Sequence, residues 1–356
     1  MVLSFSIIDF NFIERKKCMS ELIMGIETSC DETAAAIVEK GRKIVTNIIS
    51  SQIKIHNKYG GVVPEIASRK HMEYIIPVID QALSESGIEL NQLSGIAVTY
   101  GPGLIGSLLV GLTLAKSIAF ARKIPLIGIN HLEAHIYANF LEHRELKPPI
   151  ICLIVSGGHT SLVHINDYWD YNILGQTKDD AAGEVFDKIS KYLNLGYPGG
   201  PVIEKLSGNG NPSAINFPRP LLNKKNFDFS FSGLKTAVIY YVNKLKEENK
   251  EIPKHDILAS FQQAVVDVLT EKTLKAALKL KVNRIALAGG VAANIYLRKN
   301  IKKRAKMYDI EVYYPSPQLC TDNAVMVASA GYYKLRNNKI SSLNLDAVSR
   351  LPLTIK

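Results

Sequence analysis

The 356 residues carry 43 Lys and Arg against 33 Asp and Glu, a formal net charge of +10, with 47% hydrophobic and 21% charged content. These proportions are ordinary for a globular protein, and the length predicts two domains or one elaborate α/β unit. The basic balance favours a polyanionic partner such as nucleic acid. The four cysteines, Cys18, Cys30, Cys152 and Cys320, form no CxxC pair. That excludes a disulfide or structural-zinc framework and points to a reducing, cytoplasmic setting.

Residues 1–20 read as an N-terminal extension. Their basic residues follow the apolar part and no small-residue cleavage site appears, so they are not a signal peptide. Met19 is an alternative start, which would make residues 1–18 a start-site artefact. Leu22–Ile26 reads as a short buried strand, "TSCDET" as a turn, Ala34–Val38 as a second strand and Lys43–Gln52 as a third. Lys70–Ser86 has helical apolar spacing and ends at Gly87. Ile96–Thr99 is a strand running into the glycine-rich turn "YGPGLIGS". Leu104–Ala121 then forms a helix, interrupted by Ser107, Lys116 and Ser117 and therefore a buried helix rather than a membrane span. Leu126–Gly128 is a strand that feeds the helix of "NHLEAH". The pattern then restarts: Ile150–Val155 strand, "SGGHT" turn, Ser161–Ile165 strand. A strand–turn–strand unit met twice about 130 residues apart suggests a duplicated fold. Residues 196–235, rich in Gly, Pro, Asn and Ser, read as a long irregular insertion. Helices resume at Asp256–Leu280. Ile285–Ala288 is a strand, "GGVAAN" turns into a helix at Ile295–Lys306, and Val312–Tyr314 is a strand. The last helix is expected to be capped by Thr321 or Asp322. Alternating strands and helices mean an α/β protein. Its parts are 21–149, 150–340 with the insertion, and a tail at 341–356.

His131 and His135 stand at i and i+4, which on a helix puts them on one face with Cβ atoms roughly 5–6 Å apart. A metalloprotease helix needs glutamate directly after the first histidine. Leu132 holds that place, and Glu133 points to the other side of the helix. A metal grip needs a third ligand, and Asp322 of "TDNA" is the candidate. Two imidazoles and one carboxylate with open positions suit Fe(II) or Zn(II) acting as a Lewis acid. The alternative is an ordinary helix with two histidines. "GIETSCDET" offers N–H groups and hydroxyls to a phosphate, with Asp31 or Glu32 to position water or a cation, or is a plain polar β-turn. Gly157 and Gly158 allow backbone to approach a ligand beside His159, and "AGGVAAN" is a second such turn at a helix N-terminus. Either pair also fits a tight strand–helix turn. "DDAAGEVFDK" puts Asp180, Glu184 and Asp187 on roughly one helical face, for hydroxyl contacts or for solvent. The basic run Arg298–Lys306 is a solvated face or a nucleic-acid contact.

In order along residues 22–335 the chain carries "GIETSCDET", "YGGVVPEIASRKH", "GPGLIGSLLVG", "NHLEAH", "VSGGHTSLV", "DDAAGEVFDK", "YPGGP", "FSFSGLKT", "AGGVAAN" and "CTDNA". It closely resembles the bacterial TsaD family, formerly described as an O-sialoglycoprotein endopeptidase (Gcp/YgjD). The resemblance implies two actin-like (ribonuclease-H-like) ATPase domains around a cleft. It also implies transfer of a threonylcarbamoyl group from threonylcarbamoyl-AMP to the exocyclic amine of the adenosine beside the anticodon, in tRNAs reading ANN codons. One divalent metal, iron in the family, is implied on His131, His135 and Asp322. Substrate positions are implied at Val155, Ser156, Gly157, Gly158, His159, Asp187, Gly200 and Asn294. A further position, usually Asp, falls at Glu204. Archaeal relatives carry a tyrosine ligand just before the SGG turn, where this chain has Ile154. TsaB-like and TsaE-like proteins are the implied partners besides tRNA, and ATP or ADP is expected to fit the same cleft. Asp31 and Glu32 are the candidate proton acceptors. Two rival activities, an actin-like small-molecule kinase or ATPase and a metallopeptidase, predict respectively no tightly held metal and an activating glutamate. A non-catalytic scaffold is the third rival.

Overall fold

A computed structural model describes residues 21–353; the proposed extension at 1–20 lies outside them, as do residues 354–356. The elements run β1 (Leu22–Glu27), β2 (Glu32–Glu39), β3 (Lys43–Ser51), α1 (Ile53–His56), α2 (Pro64–Ser86), β4 (Gly95–Gly101), α3 (Ile105–Arg122), β5 (Leu126–Asn130) and α4 (His131–Glu142). They continue with β6 (Ile150–Val155), β7 (Thr160–Asp167), β8 (Asp170–Gln176), α5 (Ala182–Tyr192), α6 (Gly199–Ser207), α7 (Ser232–Glu247), α8 (Lys254–Leu280) and β9 (Arg284–Ala288). The last are α9 (Ile295–Ala305), β10 (Glu311–Tyr313), α10 (Pro317–Cys320) and α11 (Ala324–Arg336).

Two five-stranded mixed sheets have the same order, β3-β2-β1-β4-β5 and β8-β7-β6-β9-β10. In each, the first three strands form an antiparallel meander and the last two run parallel to the first. The duplication expected from the two strand–turn–strand units is therefore a duplication of whole sheets, and the fold is the two-domain actin-like α/β architecture.

Alternation along each strand decides which layer a side chain joins. In β1, Leu22, Met24 and Ile26 pack outward against α2 and α3, whereas Ile23 faces inward. In β6, Ile151, Leu153 and Val155 pack toward α5 and α8, whereas Ile150, Cys152 and Ile154 face inward. Both inward faces meet one shared layer built from α4 and α11. The molecule is thus layered helices, sheet, helices, sheet, helices. Burying an aliphatic side chain contributes about 1.5–3 kcal/mol, yet the sheet faces toward α11 are lined by small residues, because that helix lies very close. A Cβ on Gly25 would sit 2.2 Å from the Ala324 carbonyl, and one on Gly331 2.4 Å from the Ala97 Cβ. So α11, although it falls within 150–340, closes the inner face of the first sheet.

Four local expectations change. Helix α2 begins at Pro64, not near Lys70, with Pro in its first turn and Glu65 beside the positive helix end. The strand β8 follows a turn through Trp169 at φ +72°, a conformation that hides it from residue-type rules. Residues 196–235 hold α6 and the start of α7, so the irregular part shrinks to 208–231. The cap of α11 is Asn323, whose side chain accepts the Met326 N–H at 3.0 Å, rather than Thr321 or Asp322. Among the described residues one helix, α3, is long and apolar enough by composition to cross a membrane, but it packs on α2 and β4.

Candidate active site

Helix α4 starts abruptly where β5 ends. Asn130 caps it, its side-chain oxygen accepting from the Leu132 and Glu133 N–H groups at 2.9 and 3.4 Å. His131 is therefore the first helical residue and His135 stands one turn later. Asp322 stands just before the cap of α11, so the two helices of the shared layer bring their N-terminal ends together. His135 Nε2 lies 3.1 Å, and His131 Nε2 3.4 Å, from Asp322 Oδ1. One ligand atom from each of the three residues falls within 4.8 Å of the others. Both histidines are buried.

Behind this cluster lies a residue that the motif analysis passed over. Glu27, fully buried at the end of β1, accepts from His131 Nδ1 at 3.1 Å, from Thr99 Oγ1 at 2.6 Å and from the Ser29 N–H at 2.5 Å. A carboxylate on Nδ1 fixes the tautomer and leaves Nε2 to face Asp322. The signal was present: a charged residue closes an otherwise unbroken apolar strand.

The charges fit a cation. Against the opposing effect of burial, Asp322 and Glu27 push His131 up to about 9. Likewise His131 and His135 overcome burial and hold Asp322 down to about 2. On the other side, burial and then His131 and His135 drop His159 to about 4. Burial, Asp31 and Asp322 hold Glu32 well above the usual carboxylate range. A buried site that favours a positive charge amid four carboxylates, with two imidazoles and one carboxylate as donors, suits a divalent ion.

The first hairpin turn is held rigidly. The Cys30 carbonyl accepts from His71 Nε2 at 2.9 Å, so His71 Nδ1 accepts from Thr33 Oγ1 at 2.8 Å. Asp187 on α5 accepts the Gly199 N–H at 2.7 Å, and burial and Asp31 push it up to about 6. Tyr197 is raised by burial, Asp31 and Asp187, and so belongs to the same cluster.

Glycines line the cleft opposite. A Cβ on Gly157, Gly158, Gly200 or Gly290 would meet nothing within 4 Å. None of these four has a φ that demands glycine, and a side chain there would extend into open space. Their neighbours differ. Gly289 has φ +90° and abuts the Val155 carbonyl, and Gly199 abuts the Phe186 carbonyl. These two pairs thus spend one glycine on packing and leave the other facing open space.

Other predicted residues are placed differently. Val155 points into the outer core, so only its backbone faces the cleft, and Ile154 points into the shared layer. Asn294 caps α9 through Leu297 N–H at 2.8 Å and donates to Gln262 Oε1 at 3.0 Å. Glu204 accepts the Ile295 and Tyr296 N–H groups at 2.5 and 3.2 Å, so its extra methylene carries it onto the helix end. Asp180 precedes α5 and does not share a face with Asp187; it pairs with Lys188 and Lys235 at 2.6 Å each. Glu133 faces away from the cluster and pairs with Lys334 at 2.7 Å. Residues Lys299, Lys302 and Lys303 of the basic run are outside any ion pair among the described residues.

The family model "TsaD: tRNA N6-adenosine threonylcarbamoyltransferase" matches residues 43–329. A tRNA N6-adenosine threonylcarbamoyltransferase of Clostridium perfringens strain SM101 is 54% identical over 333 residues, covering 94% of this chain and 98% of the relative. One of Caldicellulosiruptor saccharolyticus is 54% identical over 335 residues, covering 94% and 99%. Among solved structures, HypF of T. kodakarensis superposes with a TM-score of 0.61 at 15% identity, covering 90% of this chain and 48% of that one, a likeness of fold.

Proposed function

The chain belongs to the TsaD family and is a tRNA N6-adenosine threonylcarbamoyltransferase; on that premise we propose how its residues divide the work. A divalent ion, Fe(II) by preference and Zn(II) as the alternative, is held by His131, His135 and Asp322, with Glu27 orienting His131. When bound, it supplies Lewis-acid polarisation of a carbonyl oxygen. The donor is threonylcarbamoyl-AMP and the acceptor the adenosine beside the anticodon of ANN-reading tRNAs. The open faces of Gly157, Gly158, Gly200 and Gly290 admit the adenylate, close to backbone N–H groups. Ser156, His159 and Asn294 border that space, and Asp187 accepts from a ribose or threonine hydroxyl. Glu204 acts from the α9 end rather than by the direct contact of a shorter Asp. An aromatic amine is a weak nucleophile, so alignment of the two substrates must supply most of the acceleration. The amine attacks the carbamoyl carbon, the C–O bond to the phosphate breaks, AMP leaves with the electron pair, and the amine proton passes to Asp31 or Glu32. Burial, Asp31 and Asp322 hold Glu32 above the usual carboxylate range, which raises its basicity.

The observation that carries this reading is the His131–His135–Asp322 cluster opening onto glycines with empty space in front of them. A metallopeptidase lacks its base here, since Glu133 is buried in an ion pair with Lys334. A kinase needs no histidine pair. TsaB-like and TsaE-like proteins are the partners we infer, in the cytoplasm, where Cys30, Cys152 and Cys320 stay free thiols.

The test mixes the protein and both partner proteins with labelled threonylcarbamoyl-AMP and unmodified ANN-reading tRNA, beside His135→Ala. Label reaching tRNA only with the intact histidine supports the assignment. Equal labelling by the variant, with equal metal content, refutes the metal role.

A further inference from the structure

The segment after α11 does not trail into solvent. Ser341 N–H donates to the Leu126 carbonyl at 2.8 Å, and its Oγ accepts from Gly128 N–H at 2.9 Å. Val348 N–H donates to the Tyr100 carbonyl at 2.8 Å, and the Ser349 carbonyl accepts from Gly103 N–H at 3.2 Å. Beyond Arg350, the Pro352 carbonyl accepts from Asn130 Nδ2 at 3.1 Å, and Leu353 is buried in the shared layer. A Cβ on Gly101 would lie 2.1 Å from the Val348 carbonyl, so glycine there makes room for this strap. The strap is fixed immediately before and after Arg350.

Arg350 itself is exposed and makes no hydrogen bond or ion pair with any described residue. It lines a cavity of about 760 Å³ whose facing wall begins at Gly158 and His159 and runs through Thr177 and Lys178. The charges of that wall are already committed. Asp179 accepts from Ser230, Phe231 and Ser232, and Lys178 pairs with Asp228 at 3.2 Å. Arg350 is therefore the uncompensated charge. Asp187, Gly200 and Asn294 line no part of this cavity, and Glu204 borders a different one, of about 410 Å³, at the start of α9.

We propose that this cavity, which adjoins the adenylate space at Gly158 and His159, receives the acceptor strand and that Arg350, presented by the C-terminal strap, binds a backbone phosphate of the tRNA beside the target adenosine. The inference rests on the transferase reading above and adds a residue to it. A guanidinium offers a phosphate two parallel N–H donors. A backbone fixed on both sides removes much of the ordering cost of that contact. The donor adenylate also carries a phosphate, so the two substrates are separated by experiment.

The experiment uses the full chain with both partner proteins and measures initial rates with tRNA and adenylate varied independently, for wild type, Arg350→Gln and Arg350→Lys. The expected result for Arg350→Gln is a KM for tRNA raised about 10-fold, the scale of one charge-assisted hydrogen bond, and a salt slope for tRNA smaller by about one. The adenylate KM, metal content and melting temperature should match wild type, and Arg350→Lys should recover part of the loss. An unchanged tRNA KM and salt slope overturns the proposal. So does an increase confined to the adenylate KM, which would move the guanidinium to the donor. Absence of transfer by the wild type overturns the transferase reading itself, and this inference with it.

Discussion

Replacing Glu27 by glutamine should weaken the proposed metal binding while leaving His131, His135 and Asp322 in place. The carboxylate is fully buried and accepts three hydrogen bonds, from His131, Thr99 and Ser29. A glutamine keeps one oxygen for the Ser29 N–H but presents an NH₂ to His131. That NH₂ requires Nδ1 to accept, so the ring proton moves to Nε2, the atom that faces Asp322. The loss amounts to one charge-assisted hydrogen bond, about 1.5–3 kcal/mol. This converts to a roughly 10- to 100-fold weaker affinity, in line with the effect of outer-shell substitutions at other metal sites. The assay is competition for Zn(II) or Co(II) against a chelator of known affinity, with the melting temperature of the metal-free protein as a check on folding. Wild-type affinity in Glu27→Gln would refute the orienting role.

Gly158→Ala should leave stability within about 0.5 kcal/mol, because the added methyl meets nothing, yet raise the KM for the adenylate; thermal melts and kinetics give both readings. Gly25→Ala should do the reverse, costing about 1–3 kcal/mol of stability by pushing against the Ala324 carbonyl, read by denaturant unfolding. Asp187 is pushed up to about 6 by burial and Asp31, so it takes up a proton as pH falls through that value and loses its role as acceptor. kcat/KM should drop about tenfold per pH unit below 6, and a profile flat from 7 to 5 would remove Asp187 from substrate binding. Asp180 is lowered to about 2, since Lys188 and Lys235 outweigh its burial. A depressed carboxylate stabilises above its unfolded value near 4 and loses that contribution as pH falls toward 2. The stability of Asp180→Asn should therefore fall less steeply than that of wild type between pH 4 and 2.

The sequence made the strands of the inner and outer layers legible because their runs are apolar and short, and it made the His131–His135 spacing legible because helical geometry is local. Asp322 could be nominated but not joined to the pair, since its place depends on α11 packing against the other end of the chain. The same non-locality hid Glu27. Its role exists only once β1 lies beside β4 and the start of α4, and no residue spacing encodes that. Residue type does not separate the adjacent polar residues "TDN" as caps of α11, all good caps in isolation. The tertiary demand on Asp322 decided for Asn323. Glu204 shows the limit of transferring a motif position: its carboxylate accepts the Ile295 and Tyr296 amides, a contact no motif spacing encodes. Arg350 carried no motif at all, and only the path of the strap brings it to the cleft.

The packing of α11 on β1, β2 and β4 also has a temporal side. Those strands are complete by Gly101, but the helix that covers their inner face ends at Arg336. At about 5–20 residues per second, a ribosome needs roughly 10–50 s to deliver it. During that interval the small-residue face of the first sheet is open, and the nascent N-terminal half is the segment on which a chaperone or an early pairing error would act. Completion of the first domain is thus the last event of synthesis, and any chain stopped before residue 322 lacks both the third member of the His131–His135–Asp322 cluster and the helix that seals its own beginning.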